Sequence, residues 1–522
     1  MKTHLKRKRV RAEGAERSIS ATLRLLLVLL TLLLNVAVIF LLARFLEDRA
    51  TYVYAALTVV SFIAAVGICN RRGSPSYKML WIFLITAFPV AGLILYALLG
   101  NTVMHRAQGL KDVPEPPARE ETRARSEKNL CRLRTEDAAL GRLAGYLSHM
   151  GFFLYRRTET LYLPSGEAYF DDLLARMRQA ERFIFLEYFI LAEGELWERA
   201  FAVLRERAAA GVEVKIIFDD FGNINRFGAD ALQKMREAGI RYRVFNPVHR
   251  FVNRMYFNYR DHRKIAVIDG EYAYTGGVNF ADEYANITKR FGHWRDSAVR
   301  LHGEGVWGLT FRFIHLWERL GGTLREETAY YEPTEETDAP GFVQCVTDSP
   351  LNNPVNPISD VYMQLIASAT ESLFITTPYL SLEDHMVEAL CAAAGGGVDV
   401  RLLLPGIPDK RAVFLVTQSY LGDLLRHGVR VYHYSPGFLH NKSVMADRKV
   451  ALIGSPNFDF RSFQFNFEDA VLCYRTPAVE ALSADMDDIM KESRELTLAE
   501  WQKRGTFRRL WESILRLFAV WM

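Results

Sequence analysis

Residues 259–280 read YRDHRKIAVIDGEYAYTGGVNF, and residues 437–458 read GFLHNKSVMADRKVALIGSPNF. Each stretch holds His-x-Lys-x-x-x-x-Asp: His262, Lys264 and Asp269 in the first, His440, Lys442 and Asp447 in the second. Gly276 and Gly454 follow their histidines at the same distance, and so do Asn279 and Asn457. A pattern repeated at equivalent positions marks a duplicated unit and decides the fold. Working outward, GVEVKIIFDD from Gly211 parallels GVDVRLLLPG from Gly397, and GIRYRVFNP from Gly239 parallels GVRVYHYSP from Gly428. RFIFLEYFI from Arg182 matches SLFITTPYL from Ser372. Short apolar strands alternating with helical patterns imply α/β lobes. The expected fold is two homologous α/β sandwich lobes, 140–325 and 341–495, with the site at their interface and an acidic linker, 326–340, between them.

The chemistry follows from strand geometry. Residues i and i+2 of a strand face one side, so His262 projects with Lys264 and His440 with Lys442. An ammonium binds anionic oxygens, and a neutral imidazole attacks phosphorus. Two such strands around one site supply a nucleophile and an acid for the leaving oxygen. Asp269 and Asp447 are candidates for a direct electrostatic role, with turn formation and strand anchoring as the alternative. The turn residues Gly276, Gly277 and Ser455 permit close backbone approach, and the amides of Asn279 and Asn457 donate to phosphate oxygens; all five are expected at the substrate. Glu468 is a candidate to orient a histidine. Glu187, Asp219 and Asp220 are expected to cap or form ion pairs instead.

The chain has 522 residues, half of them hydrophobic, with a formal net charge of +4. That excludes a disordered chain. Met1–Arg24 contain eight basic residues against two acidic, so the remainder is slightly negative. A body without basic excess argues against a nucleic-acid partner. After this tail come three uncharged apolar runs, Leu25–Ala43, Tyr52–Cys69 and Met79–Leu99, each long enough on sequence alone to cross about 30 Å. Flanking basic residues fit three spans and an inside N-terminus. Residues 101–139 read as a linker. The final stretch, 496–522, forms an amphipathic helix that either lies among lipid headgroups or packs on the second lobe. Five cysteines lack metal or disulfide spacing.

At NYRDHRKIAVIDG, TGGVNFADEY, HWRD, GFLHNKSV and GSPNFDFRSFQFNFE the chain resembles the bacterial cardiolipin synthases of the phospholipase D superfamily. The resemblance implies two phospholipase D-like lobes at a cell membrane, anchored by several spans. It implies phosphatidyl transfer between two phosphatidylglycerol molecules through a phosphatidyl-histidine, giving cardiolipin and glycerol; the alternative is a membrane-bound phosphodiesterase that hydrolyses phospholipids at the same site. The partners are then anionic phospholipids and the bilayer, with no cofactor or metal. His262 is expected as nucleophile and His440 as acid/base.

Overall fold

Two features of residues 75–99 override their uniform hydropathy: Ser74–Pro75 and Phe88–Pro89. Proline lacks an N–H and disfavours helical backbone in the residue before it. In the structure, a computed structural model describing residues 50–100, 110, 120–247, 259–353 and 355–521, α1 spans Ala50–Cys69, α2 Pro75–Ala87 and α3 Pro89–Leu99. Ser74 caps α2 by accepting from the Tyr77 N–H at 3.2 Å. Phe88, with φ −133° and ψ 74°, breaks the chain between α2 and α3. The expected third span, Met79–Leu99, is therefore not one helix but parts of two, of 13 and 11 residues. Among the described residues no helix is long and apolar enough to cross a membrane. The first run, Leu25–Ala43, lies outside the described residues. This N-terminal unit packs Trp81 edge-on against Tyr77 and Tyr96 and leaves Tyr52, Phe62 and Ile63 of α1 more than 60% exposed.

The larger unit contains two sheets that repeat one topology. The first half of the chain supplies β1 (Leu154–Tyr155), β2 (Thr158–Leu163), β3 (Phe183–Tyr188), β4 (Glu213–Asp219), β5 (Arg241–Phe245), β6 (Arg260–Asp261), β7 (Lys264–Ile268), β8 (Tyr272–Gly276), β9 (His293–Arg295) and β10 (Ala298–Gly303). The second supplies β11 (Phe342–Asp348), β12 (Ser372–Thr376), β13 (Leu380–Ser381), β14 (Asp399–Pro405), β15 (Arg430–Tyr434), β16 (Gly437–Leu439), β17 (Ser443–Ala446), β18 (Val450–Gly454), β19 (Phe458–Asp459), β20 (Asn466–Tyr474) and β21 (Ser493–Leu496). One sheet runs β2-β10-β8-β7-β3-β4-β5. The other contains β11-β20-β18-β17-β12-β14-β15, with β1 and β21 added at its edges. In each, three parallel strands joined through helices abut an antiparallel group. The paired sequence segments fall on β3 and β12, β4 and β14, β5 and β15.

Strand alternation separates the cores. Phe183 and Phe185 of β3 face the interior between the sheets, with Phe374, Leu403 and Val471 of the second sheet and the helix Val306–Arg319. Ile184, Leu186 and Tyr188 face the helices Gly166–Gln179 and Glu195–Ala209. Both faces are covered, which is why these strands read as unbroken apolar runs.

Three expected boundaries shift. The second part of the 101–139 linker is a helix, Glu120–Glu136, followed by another, Ala138–His149. Both belong with the second sheet, not the first lobe: the Ser126 hydroxyl accepts from the Leu154 N–H at 2.9 Å, and the Gln344 amide donates to Ala144 O and Phe152 O. In 326–340, Tyr331 is fully buried and bonds Glu213 and Lys215, so this stretch is fastened to the first lobe.

Candidate active site

β7 and β17 sit at equivalent places in the two sheets; His262 lies two residues ahead of β7 and His440 three residues ahead of β17. The chain ahead of each histidine leaves its own sheet and pairs with the opposite lobe. β6 runs parallel to the start of β20, and the His262 N–H donates to Phe467 O at 2.9 Å. β16 runs parallel to β9, and the His440 N–H donates to Arg295 O at 2.7 Å. The residue that follows each accepting carbonyl is an acid, Glu468 within β20 and Asp296 just past the end of β9. Glu468 places both carboxylate oxygens 3.0 Å from His262 Nδ1, and Asp296 Oδ2 lies 2.5 Å from His440 Nδ1. Each lobe thus orients the other lobe's imidazole.

A carboxylate on Nδ1 fixes the tautomer and leaves Nε2 free for chemistry. The lysines lie beside their histidines: Lys264 and Lys442 each donate to the carbonyl of the histidine two residues earlier, and Lys442 Nζ is 2.8 Å from His440 Nδ1. The lysine charges act on both imidazoles, which joins the halves into one site.

Burial governs the ionisation. It lowers His262 to about 4 against the opposing pull of Glu468, and lowers His440 well below its ordinary value, assisted by Lys442 and Lys264. Both imidazoles are neutral near pH 7. Burial also brings Lys264 down to about 8 and Lys442 to about 7, and raises Asp296 to about 6. Burial pushes Glu468 upward too, but His262, Lys264 and the Ser455 hydroxyl outweigh it and keep the acid ionised. Among the described residues no cluster of His, Cys, Asp or Glu is arranged to hold a metal.

The motif aspartates do something else. Asp269 accepts backbone N–H groups of Glu181, Arg182 and Phe183, each at 2.7 Å, and holds φ +55°. Asp447 accepts those of Thr370, Glu371 and Ser372 at φ +53°. Each lies at the far end of its strand, seven residues from its histidine and so roughly 20 Å along the chain. The catalytic expectation for Asp269 and Asp447 is corrected: they anchor the starts of β3 and β12, the turn-forming alternative.

Other expected substrate contacts are also redirected. A Cβ on Gly276 would meet Ser297 O at 2.4 Å, and one on Gly277 would meet Asp296 Oδ1 at 2.1 Å, so these glycines admit the neighbouring strand and its acid. Ser455, standing where the first lobe has Gly277, donates its hydroxyl to Glu468 Oε2 at 2.5 Å. The Asn279 amide is committed to protein, accepting from the Ile190 N–H and donating to Tyr284 Oη. Asn457 differs: its carbamoyl oxygen is buried and has no partner among the described residues. Glu187 pairs with Arg263, and Asp219 with Arg260, as expected.

Asp296 escaped the sequence reading. It lies 20 residues after Gly276, whereas Glu468 lies 14 after Gly454, so simple register does not align them. The signal that finds it is structural equivalence: the N–H of Gly277 bonds Ser297 O, as that of Ser455 bonds Asp469 O.

A family model described as the cardiolipin synthase phospholipase D-like domain matches residues 173–289 and again 362–490. One described as a phospholipase D-nuclease N-terminal segment matches 57–101. The chain is 34% identical to cardiolipin synthase 2 of Bacillus anthracis over 88% of its own length and 90% of that protein. It is 33% identical to a cardiolipin synthase of Halalkalibacterium halodurans, covering 89% and 92%. A solved phosphatidylserine synthase of Haemophilus influenzae shares the fold, with a TM-score of 0.55 and 15% identity over 70% of this chain and 94% of that one.

Proposed function

The chain belongs to the bacterial cardiolipin synthases of the phospholipase D superfamily, a phosphatidyltransferase family, and from that premise we propose that it joins two phosphatidylglycerol molecules into cardiolipin, releasing glycerol. The observation that carries the reading is the crossed pair of clamped imidazoles, His262 on Glu468 and His440 on Asp296, flanked by Lys264 and Lys442.

In the first step His262 Nε2 attacks phosphorus. The N–P bond forms as the P–O bond to glycerol breaks, and His440, protonated once the phosphodiester's charge is present, gives its proton to the departing oxygen. Ionised Glu468 offsets the positive charge gained by the phosphorylated ring. Lys264 and Lys442 face the non-bridging oxygens. In the second step a hydroxyl of another phosphatidylglycerol headgroup attacks phosphorus, neutral His440 takes its proton, and the P–N bond breaks. An asymmetry between the halves supports these assignments. His262 has a firmly ionised partner, which suits a nucleophile, whereas His440 sits with Asp296 near 6 and Lys442 near 7, groups that exchange protons in the neutral range. The unpartnered carbamoyl oxygen of Asn457 would accept from a hydroxyl of the glycerol headgroup.

The proposal extends to anchoring in the cell membrane through residues 25–99, supported by the uncharged run 25–43 and the exposed apolar side of α1. The decisive experiment supplies phosphatidylglycerol to the full-length protein and measures cardiolipin, glycerol and phosphatidic acid. Cardiolipin and glycerol in equal amounts are expected. Phosphatidic acid alone would overturn the transferase reading.

A further inference from the structure

The helix Thr506–Arg516 is built inside out. Its inward residue is Glu512, 2% exposed, ion-paired with Arg504 and, at 2.9 Å, with Arg508. Its neighbours on that side face the helix Arg411–Arg426: the Arg516 guanidinium lies 4.2 Å from the Tyr420 ring centre, and Arg504 donates to Gln418 O. The opposite side carries Phe507 (72% exposed), Leu510 (56%), Trp511 (46%), Ile514 and Leu517 (55%), spaced three and four apart along one stripe. A helix that served only to cover the second lobe would turn this stripe inward, because apolar burial is the main gain of packing. Here the polar side is satisfied by the protein, and the apolar side is left for something else. Lys503, Arg508 and Arg509 are exposed at the N-terminal end of the helix, Arg508 in its pair with Glu512.

We infer that this helix is a docking face for an anionic phospholipid surface, lying in the headgroup region with its apolar stripe in the acyl boundary. Trp and Phe beside exposed Lys and Arg favour that boundary, and negative lipid complements the basic flank. The inference rests on the phosphatidylglycerol reading, because it gives the lobes a contact with the leaflet holding their substrate, separate from residues 25–99.

The test uses the full-length protein with Cys69→Ser and Cys131→Ser, the two exposed cysteines, and a polarity-sensitive dye on Ile514→Cys. It is reconstituted into vesicles of phosphatidylcholine and into vesicles in which phosphatidylglycerol replaces part of it. Bromine-labelled acyl chains should quench the dye, more strongly with phosphatidylglycerol present. The Leu510→Glu, Leu517→Glu variant should lose quenching and make cardiolipin about tenfold more slowly from vesicles, at an unchanged rate from short-chain, monomeric phosphatidylglycerol. An unquenched dye overturns the inference. So does shielding that is independent of lipid and accompanied by cross-linking between copies, which makes a second copy the occupant. Quenching without cardiolipin from either substrate supports the docking face and sinks the functional reading instead.

Discussion

The two half-sites share a backbone plan and differ in what surrounds the imidazole. The His262 side chain is 13% exposed, edged among the described residues by the ring of Phe189, and its acid is held by hydroxyl and amide donors from Ser455 and Asn466. His440 is 7% exposed, enclosed by Tyr284, Trp294 and Phe438, and its acid faces Gly277, where the other half has a serine. Duplication fixed the frame, and the packing around each ring then set the acidity of its partners. Pseudo-symmetry in the backbone is thus compatible with unequal roles in the chemistry.

The strongest way to break this comparison is to delete the imidazoles separately. His262→Ala and His440→Ala should each lower cardiolipin formation by at least about 10³-fold. A phosphatidyl ester with an acidic phenol as leaving group should separate them: the His440→Ala protein still releases phenol in a single burst, because that group needs no acid, and the His262→Ala protein releases none. A burst from His262→Ala instead would exchange the two roles.

Next come the acids. Glu468→Gln and Asp296→Asn should each cost on the order of 10²–10⁴-fold, by loss of the tautomer that frees Nε2. They should differ in pH dependence. Asp296, raised to about 6, loses its charge as pH falls through that value, and Lys442, lowered to about 7, loses its charge as pH rises through it. kcat/KM should therefore fall on both sides of a maximum between them. The acid limb near 6 should vanish in Asp296→Asn and persist in Glu468→Gln.

The serine and glycine sharpen the comparison at smaller scale. Gly277→Ser puts a Cβ against the Asp296 carboxylate and should reduce kcat about 10–100-fold. Ser455→Gly removes one donor from Glu468 and the hydroxyl that accepts from the Asp469 N–H, and about a tenfold loss is expected. Smallest in rate are the motif aspartates. Asp269→Ala and Asp447→Ala should leave turnover per folded molecule within about threefold while lowering stability by about 1–3 kcal/mol each, read by denaturant unfolding. Loss of turnover in a folded Asp269→Ala protein would restore its catalytic reading.

The duplicated lobes and both His–Lys pairs were legible because a repeated spacing survives in one dimension; the order of strands in the sheets was not. Glu468 was legible through its place in QFNFED, residues 464–469. Asp296 was not, since a loop longer by six residues separates it from its turn in the first lobe. The choice between the two readings of Asp269, and the close packing at Gly277, depend on neighbours, the amides of 181–183 and the acid at 296, that only folding brings near. The break at Phe88–Pro89 was written in the sequence as a proline, but hydropathy averaged over it.

The exchanged pairing of β6 with β20 and β16 with β9 also bears on synthesis. A nascent chain that has released His262 lacks the acid that arms it until some two hundred further residues have emerged. The first lobe alone holds a bare imidazole, the second alone another, and neither has reach to its own acid. The clamped arrangement of both imidazoles is complete only when both lobes have folded and met.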